Sequence, residues 1–267
     1  MDLKTFNMFR KIVYDMSGIA LADGKLAMVK ARVGKRMRAL NIHDDRQYLQ
    51  HVMEDRSGHE LIKLLDAISI NVTSFCREAV HFDIFRELLL EWCRKGQTKF
   101  RIWSAASATG EEPYTLAMTA LEALKGYRTD IKILATDIST KALADCQLGT
   151  YSKEKISAVP LPLRDKYFVC HQQNGSLYYT VKPALKKMVV FKRLNLSTPP
   201  FPMHGPFDVV FCRNVMIYFD NRVRSNLLQE IARLLKPGGY LMVGHAESLA
   251  GMLSGLKPVK PSVYIRP

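Results

Sequence analysis

From Lys99 onward, short apolar runs rich in β-branched and aromatic residues alternate with segments of helical spacing, and no other feature restricts the fold of this 267-residue chain so strongly. FRIWSA is followed by a helix-period segment from about Pro113 to Leu124, IKILATD by another from Thr140 to about Gln147. Such alternation predicts a parallel sheet flanked by helices, an α/β fold. FDVVFCR, a helix from about Arg222 to Leu235, a KPGG turn, YLMVGHA and a final SVYIRP continue the pattern. Between the two halves lies a basic segment with hairpin-like strands at Leu177 to Val181 and Met188 to Phe191. The Ser/Pro-rich STPPFPMHGP tract reads as a surface loop entering the strand at Phe207.

Before residue 70 the spacing is different. Phe6, Phe9, Ile12 and Val13 recur at three and four residues, as do Leu26, Val29, Val33, Met37 and Leu40, which predicts a small domain of about four helices. Arg32, Lys35 and Arg36 point away from the second apolar arc, so one helix is read with a core face and a basic face. Charge follows this division. The net charge is +14, and residues 151–200 alone hold 9 basic and 2 acidic side chains, which is half of that excess. Basic patches of this kind favour an anionic partner, and sign alone does not choose among nucleic acid, acidic lipid and acidic protein.

No stretch approaches the ~18–20 uncharged apolar residues that span a bilayer, and the N-terminus lacks an apolar segment followed by a small-residue cleavage site, so an unexported, cytoplasmic protein with no membrane insertion is expected. Cys76, Cys93, Cys146, Cys170 and Cys212 are scattered and form no CxxC pair. They read as reduced thiols, with neither a zinc site nor a disulfide framework.

The loop after the first strand, Ser104-Ala105-Ala106-Ser107-Ala108-Thr109-Gly110, opens a helix at the place where a doubly wound fold holds its cofactor. It is not GxGxxG. Glu111 and Glu112 follow it, and two carboxylates there would repel a pyrophosphate but suit a cationic amino group. That disfavours a dinucleotide and favours a cofactor bearing an ammonium, such as S-adenosylmethionine. Asp137, at the end of the next strand, can accept both hydroxyls of a ribose; the alternative role for it is a helix cap.

Taken together, ISINVTSFCRE (from Ile68), IWSAASATGEEPYTLAM (from Ile102), ILATDIS (from Ile133), FDVVFCRNVMIYFD (from Phe207) and LLKPGGYLMVGHAES (from Leu234) run in order over nearly the whole chain, and GEEPY with CRNVMIYF is a specific combination. The chain resembles the chemotaxis receptor (methyl-accepting chemotaxis protein) glutamate O-methyltransferases, the CheR family. The resemblance implies an N-terminal helical domain over 1–69 and, over 70–267, a Rossmann-like class I S-adenosylmethionine-dependent methyltransferase domain. That second domain would include a linker at 70–98 and an inserted small antiparallel β-subdomain at about 151–193. It further implies that Asn71, Thr73 and Arg77 of the linker contact the cofactor, that Glu112 holds its ammonium and Asp137 its ribose, and that Asn195, Leu196, Arg213 and Asn214 line its adenine and methionine portions. Two departures touch pocket shape: Cys76 stands where an aromatic is usual, and Ser107-Ala108 alters the order of small residues.

The implied reaction moves a methyl group to a glutamate carboxylate and releases S-adenosylhomocysteine, with no metal. A carboxylate is already ionised at neutral pH, so orientation and desolvation should carry catalysis without a strong base. Arg77 is expected to pair with a carboxylate, the cofactor's own or the substrate's, and Tyr218 to lie beside the transferring methyl. His245 and Glu247 make an incomplete ligand set and read as structural or as pocket wall. The expected partner is the glutamate-rich cytoplasmic domain of receptors, docked on Arg32, Lys35 and Arg36, with the β-subdomain able to tether a receptor C-terminal peptide as in the family; the enzyme is expected to act as a monomer and to bind no nucleic acid. Two competing readings stand beside this one. A methyltransferase of RNA or of another protein would bind its nucleic acid with steep salt dependence, and no interleaved aromatic-basic stacking motif is found. A non-catalytic receptor-binding module on the same fold would fail to turn over.

Overall fold

A computed structural model describes residues 1–249, 251–252 and 255–267. Four helices, α1 (Leu3–Ser17), α2 (Leu26–Ala39), α3 (Asp45–Glu54) and α4 (His59–Ile68), enclose the first core. Phe6, Phe9 and Val13 of α1 meet Val29, Val33 and Met37 of α2 there, all buried as their spacing predicts. No helix among the described residues is long and apolar enough to cross a membrane.

The remainder is a Rossmann-like domain on a seven-stranded sheet. Its strands are β1 (Lys99–Ser104), β2 (Asp130–Asp137), β6 (Val189–Arg193), β7 (Phe207–Cys212), β8 (Leu235–Val243), β9 (Lys257–Lys260) and β10 (Val263–Ile265). The order is β6-β2-β1-β7-β8-β10-β9, parallel from β6 through β8 and antiparallel at β10 and β9. After β1 the chain builds outward on one side through β2 and β6, then returns to the other side at β7. The strand order therefore reverses between β1 and β7, and a crevice opens beyond their carboxyl ends. Helices α5 (Val80–Arg94) and α6 (Glu111–Ala123) contribute to the core on one side of the sheet, and α11 (Asn221–Leu234) to a second core with Trp103, Val210 and Leu241.

A separate three-stranded antiparallel sheet, β3 (Thr150–Ser152), β5 (Ser176–Val181) and β4 (Phe168–Gln173) in spatial order, follows α7 (Thr140–Leu148) and carries the short helices α8 (Lys153–Ile156), α9 (Leu161–Tyr167) and α10 (Pro183–Lys186). This corrects one expectation. Met188–Phe191 is not the hairpin partner of Leu177–Val181; that partner is β4, and Val189–Arg193 is the parallel edge strand of the main sheet, paired residue for residue with Ile133–Asp137. The small sheet thus closes before Val189. Similarly, KPGG is no turn between elements, because Lys236–Gly239 lies within β8, where the register with β7 shifts. The stretch at 70–98 is only half a connector: from Val80 it is α5, whose Phe82 and Phe85 pack on Phe211 of β7.

Much of the basic excess of the insert is spent inside the fold. Lys155 pairs with Glu111 at 2.8 Å and Lys166 with Glu122 at 2.6 Å, and Lys186 donates to the carbonyls of Gln147 and Leu148 that end α7. The same holds on α2. Arg36 forms a two-pronged pair with the buried Glu60, and Arg32 donates to the carbonyls of Ala67, Ile68 and Ser69 at the end of α4. Only Lys35 of the three residues expected to form a docking face is exposed, and Lys25, Lys30 and Arg38 are the other exposed cations of that segment.

The helical domain is fastened to the sheet domain at the loop after β7. Ile19 bridges to Phe219, the Ala20 N–H donates to the Tyr218 carbonyl at 2.8 Å, and Tyr14 Oη donates to Asp220 at 2.5 Å. Gly18 permits this approach: it caps α1 at φ +72°, and a Cβ there would stand 2.5 Å from Cβ of Ser197.

Candidate active site

Beyond the carboxyl ends of β1, β2 and β7 lies a cavity of about 360 Å³. Linker residues Asn71, Thr73 and Arg77 line it, as do Glu112, Asp137, Asn195, Leu196, Arg213, Asn214 and Tyr218. Every residue expected at the cofactor or in catalysis is therefore brought to one cavity. Arg32, Lys35 and Arg36 do not line it. Part of its remaining wall, including Ile19, Leu21, Lys25 and Met28, comes from the helical domain and was not expected from the sequence.

The loop after β1 shows why one glycine suffices. Gly110 caps α6 at φ +98°, and a Cβ there would lie 2.7 Å from the Tyr151 hydroxyl and 3.2 Å from Cys146 Sγ. Glu111 and Glu112 then begin α6, where their charge is favoured by the helix dipole, but they part company. Glu111 is fully buried and taken up by Lys155 and Thr109. Glu112 faces the cavity, accepting from Ser104 Oγ at 2.7 Å and from Arg213 at 3.2 Å.

Arg213, nearly buried, sits between two carboxylates, with Glu78 at 3.0 Å on its other side, and also donates to the Arg77 carbonyl. One guanidinium is thus shared between two acids, and the Arg77 charge also acts on Glu112 from the cavity lining. Burial pushes the Glu112 carboxyl up, against the opposing pull of Arg213 and Ser104. A cationic group at Glu112 would relieve that cost. Burial also raises Asp137 to about 6, although the Ser139 and Ala108 N–H groups each donate to it at 2.9 Å. These two bonds leave the carboxylate able to accept further hydrogen bonds from the cavity side, as a ribose diol requires. The acids, the ribose-type acceptor and the cavity size fit S-adenosylmethionine, with the Arg77 guanidinium available for a carboxylate; its one hydrogen bond among the described residues is to the Val72 carbonyl at 3.1 Å.

Asp137 and Glu112 set a pH dependence. Asp137 takes up a proton as pH falls through about 6, burial raises Glu112 in the same direction, and a hydroxyl-donating, cationic ligand binds the ionised forms. Affinity for S-adenosylhomocysteine is expected to be steady above pH ~7.5 and to fall by up to about tenfold per pH unit below ~6. A calorimetric titration giving one dissociation constant from pH ~7.5 to ~5.5 would contradict this.

Backbone strain is concentrated here. Cys76, Glu78, Ala108 and Asn214 all have positive φ, between 45° and 56°, a region that costs a non-glycine residue about 1–3 kcal/mol. Buried Glu247 holds the last of these in place, accepting from the N–H groups of Asn214, Met216, Ile217 and Gly244. Its reading as structural fits this. Cys76 does not line the cavity; it packs on the sheet core beneath the linker, while Phe75 lies edge-on to Tyr151 and Phe168 of the insert. The Asn195 amide is spent partly within the protein, donating to the Met16 carbonyl at 3.0 Å and accepting from Ser197. Glu78 was missed by the sequence reading, although it directly follows Arg77 in the quoted linker motif.

A doubly wound sheet with an acid at the end of its second strand, and a cavity at the switch point lined by two raised carboxyls, has the arrangement of the S-adenosylmethionine-dependent methyltransferase class. Comparison with known proteins narrows the class. The family described as CheR methyltransferase matches twice, its all-alpha domain over residues 4–69 and its SAM-binding domain over residues 71–265. A chemotaxis protein methyltransferase of Borreliella burgdorferi is 37% identical over 95% of this chain and 91% of its own length. Chemotaxis protein methyltransferase 2 of Pseudomonas aeruginosa is 34% identical over 97% and 91%, and the Salmonella typhimurium chemotaxis protein methyltransferase 35% identical over 97% and 88%. The chain belongs to the CheR methyltransferase family.

Proposed function

We propose that this protein methylates glutamate side chains of chemotaxis receptors in the cytoplasm, with S-adenosylmethionine supplying an electrophilic methyl group and leaving as S-adenosylhomocysteine. The observation that carries the reading is the convergence of Arg77, Glu112, Asp137 and Tyr218 on one cavity at the switch point. Glu112 orients an ammonium and Asp137 a ribose. Arg77 pairs with a carboxylate, and the half-buried Tyr218, held through its carbonyl by Ala20, lies at the reacting end. Val72 and Ile217 line the same cavity and are 76% and 54% exposed, which gives an incoming side chain an apolar rim that strips water from its carboxylate.

The test is methyl transfer from labelled S-adenosylmethionine into receptor-containing membranes. The wild-type protein should place base-labile label on a receptor, and Arg77→Ala should lower the rate by about 10²-fold or more. Label on RNA, or no label, would contradict the reading; an unchanged rate and cofactor affinity in Arg77→Ala would remove that residue from it.

For docking, the free cations of α2 take the place of the set read from the sequence. Reversing Lys30, Lys35 and Arg38 together should lower receptor methylation several-fold to about tenfold at low salt and leave S-adenosylhomocysteine affinity unchanged. A matching loss of cofactor affinity would contradict this division. Arg36→Glu would instead face Glu60 and unfold the helical domain.

A further inference from the structure

Behind the cavity wall, Glu78, His81 and His245 each offer a ligand atom within 4.8 Å of the others. His81, in the first turn of α5, is 1% exposed, and neither of its ring nitrogens has a hydrogen-bond partner among the described residues. Its Nδ1 lies 3.5 Å from a Glu78 oxygen, and its ring meets the His245 ring edge-on at 5.0 Å between centroids. A buried imidazole with both nitrogens unsatisfied costs free energy that native structures recover with water or an ion. None of the three residues lines the cofactor cavity.

We propose that Glu78, His81 and His245 bind a divalent transition-metal ion of the zinc type, through two imidazoles and one carboxylate, with solvent entering at the exposed His245. Two nitrogens and one oxygen suit zinc, cobalt or nickel and not magnesium or calcium, which take oxygen ligands. His81 is buried with both ring nitrogens unpartnered among the described residues, so its imidazole is free to turn a lone pair toward an ion. The Arg213 charge opposes a cation, so the affinity should be below that of a structural zinc site. Glu78 additionally holds Arg213 at 3.0 Å and Asn214 at 3.3 Å. An ion on Glu78 therefore competes with Arg213, releases that guanidinium toward Glu112, and weakens the hold of Glu112 on an ammonium.

The experiment titrates Zn²⁺ into the full chain carrying Cys170→Ser, which removes an exposed competing thiol, and follows Co²⁺ by its visible absorption as a second readout. One ion per chain should bind, and His245→Ala should weaken it by about tenfold or more while leaving metal-free S-adenosylhomocysteine affinity unchanged. Zn²⁺ should also weaken S-adenosylhomocysteine binding several-fold, and only where His245 is present. Absence of saturable binding, or equal binding by His245→Ala, would overturn the site. Bound Zn²⁺ without effect on S-adenosylhomocysteine would overturn the link through Arg213 and leave the site standing.

Discussion

Asp137→Asn is expected to weaken S-adenosylhomocysteine binding by about 30–1000-fold, a loss of ~2–4 kcal/mol, with little change in thermal stability. The carboxylate is wholly an acceptor: it takes the Ala108 and Ser139 N–H groups and still presents lone pairs to a ribose diol. Asparagine keeps the shape but turns one oxygen into a donor, so an N–H or a ribose hydroxyl then faces another donor. The stability side nearly cancels. A carboxyl raised to about 6 in the fold carries no cost below its unfolded value of ~3.9, loses stability as pH rises from there through about 6, and costs about 3 kcal/mol at pH 7 once ionised. Removing the charge recovers that cost and offsets the misdirected amide. A binding isotherm beside a melting curve separates the two effects, and undiminished affinity would show that Asp137 only ties the Ala108 loop to Ser139, the residue that caps α7.

Glu247→Ala should do the reverse, unfolding the site by removing what holds it. Four N–H groups converge on this 3% exposed carboxylate, and three of them belong to the loop that carries Asn214 and leads to Tyr218. Leaving them buried without an acceptor costs about 3 kcal/mol or more, so the melting temperature should fall on the order of 10 °C. S-adenosylhomocysteine affinity should fall with it, because Asn214 loses the contact that maintains its positive φ. Glu247→Gln, which keeps one acceptor oxygen, should recover part of the loss. If Glu247→Ala melted like the wild type, the clamp would be refuted.

The parts of the molecule that could be read in advance were those where local pattern and environment agree. FRIWSA, IKILATD and FDVVFCR are strands flanked by helical segments, and the acids following β1 and ending β2 stand where the doubly wound fold puts its ligand. MVVFKR was placed in the insert because strand composition says nothing about which strand is its partner, and β6 finds β2 across more than fifty residues of chain. The basic face of α2 failed for a related reason. A helical wheel separates Arg32 and Arg36 from their own helix's core, but α4 packs beside them and captures both. Arg213 was legible as a cavity residue and Glu78 was not, because the partner that gives Glu78 its place is 135 residues away. The share of the cavity wall owed to the helical domain depended on the Gly18 turn and the bridge from Ile19 to Phe219, which exist only once the two domains meet.

The central claim is tested most directly by incubating a receptor cytoplasmic fragment with the protein and S-adenosylmethionine and mapping its peptides by mass spectrometry. The account predicts methyl esters on particular glutamates, absent with Asp137→Asn at the same cofactor concentration. An unmodified fragment, or modification equal in wild type and variant, would contradict it.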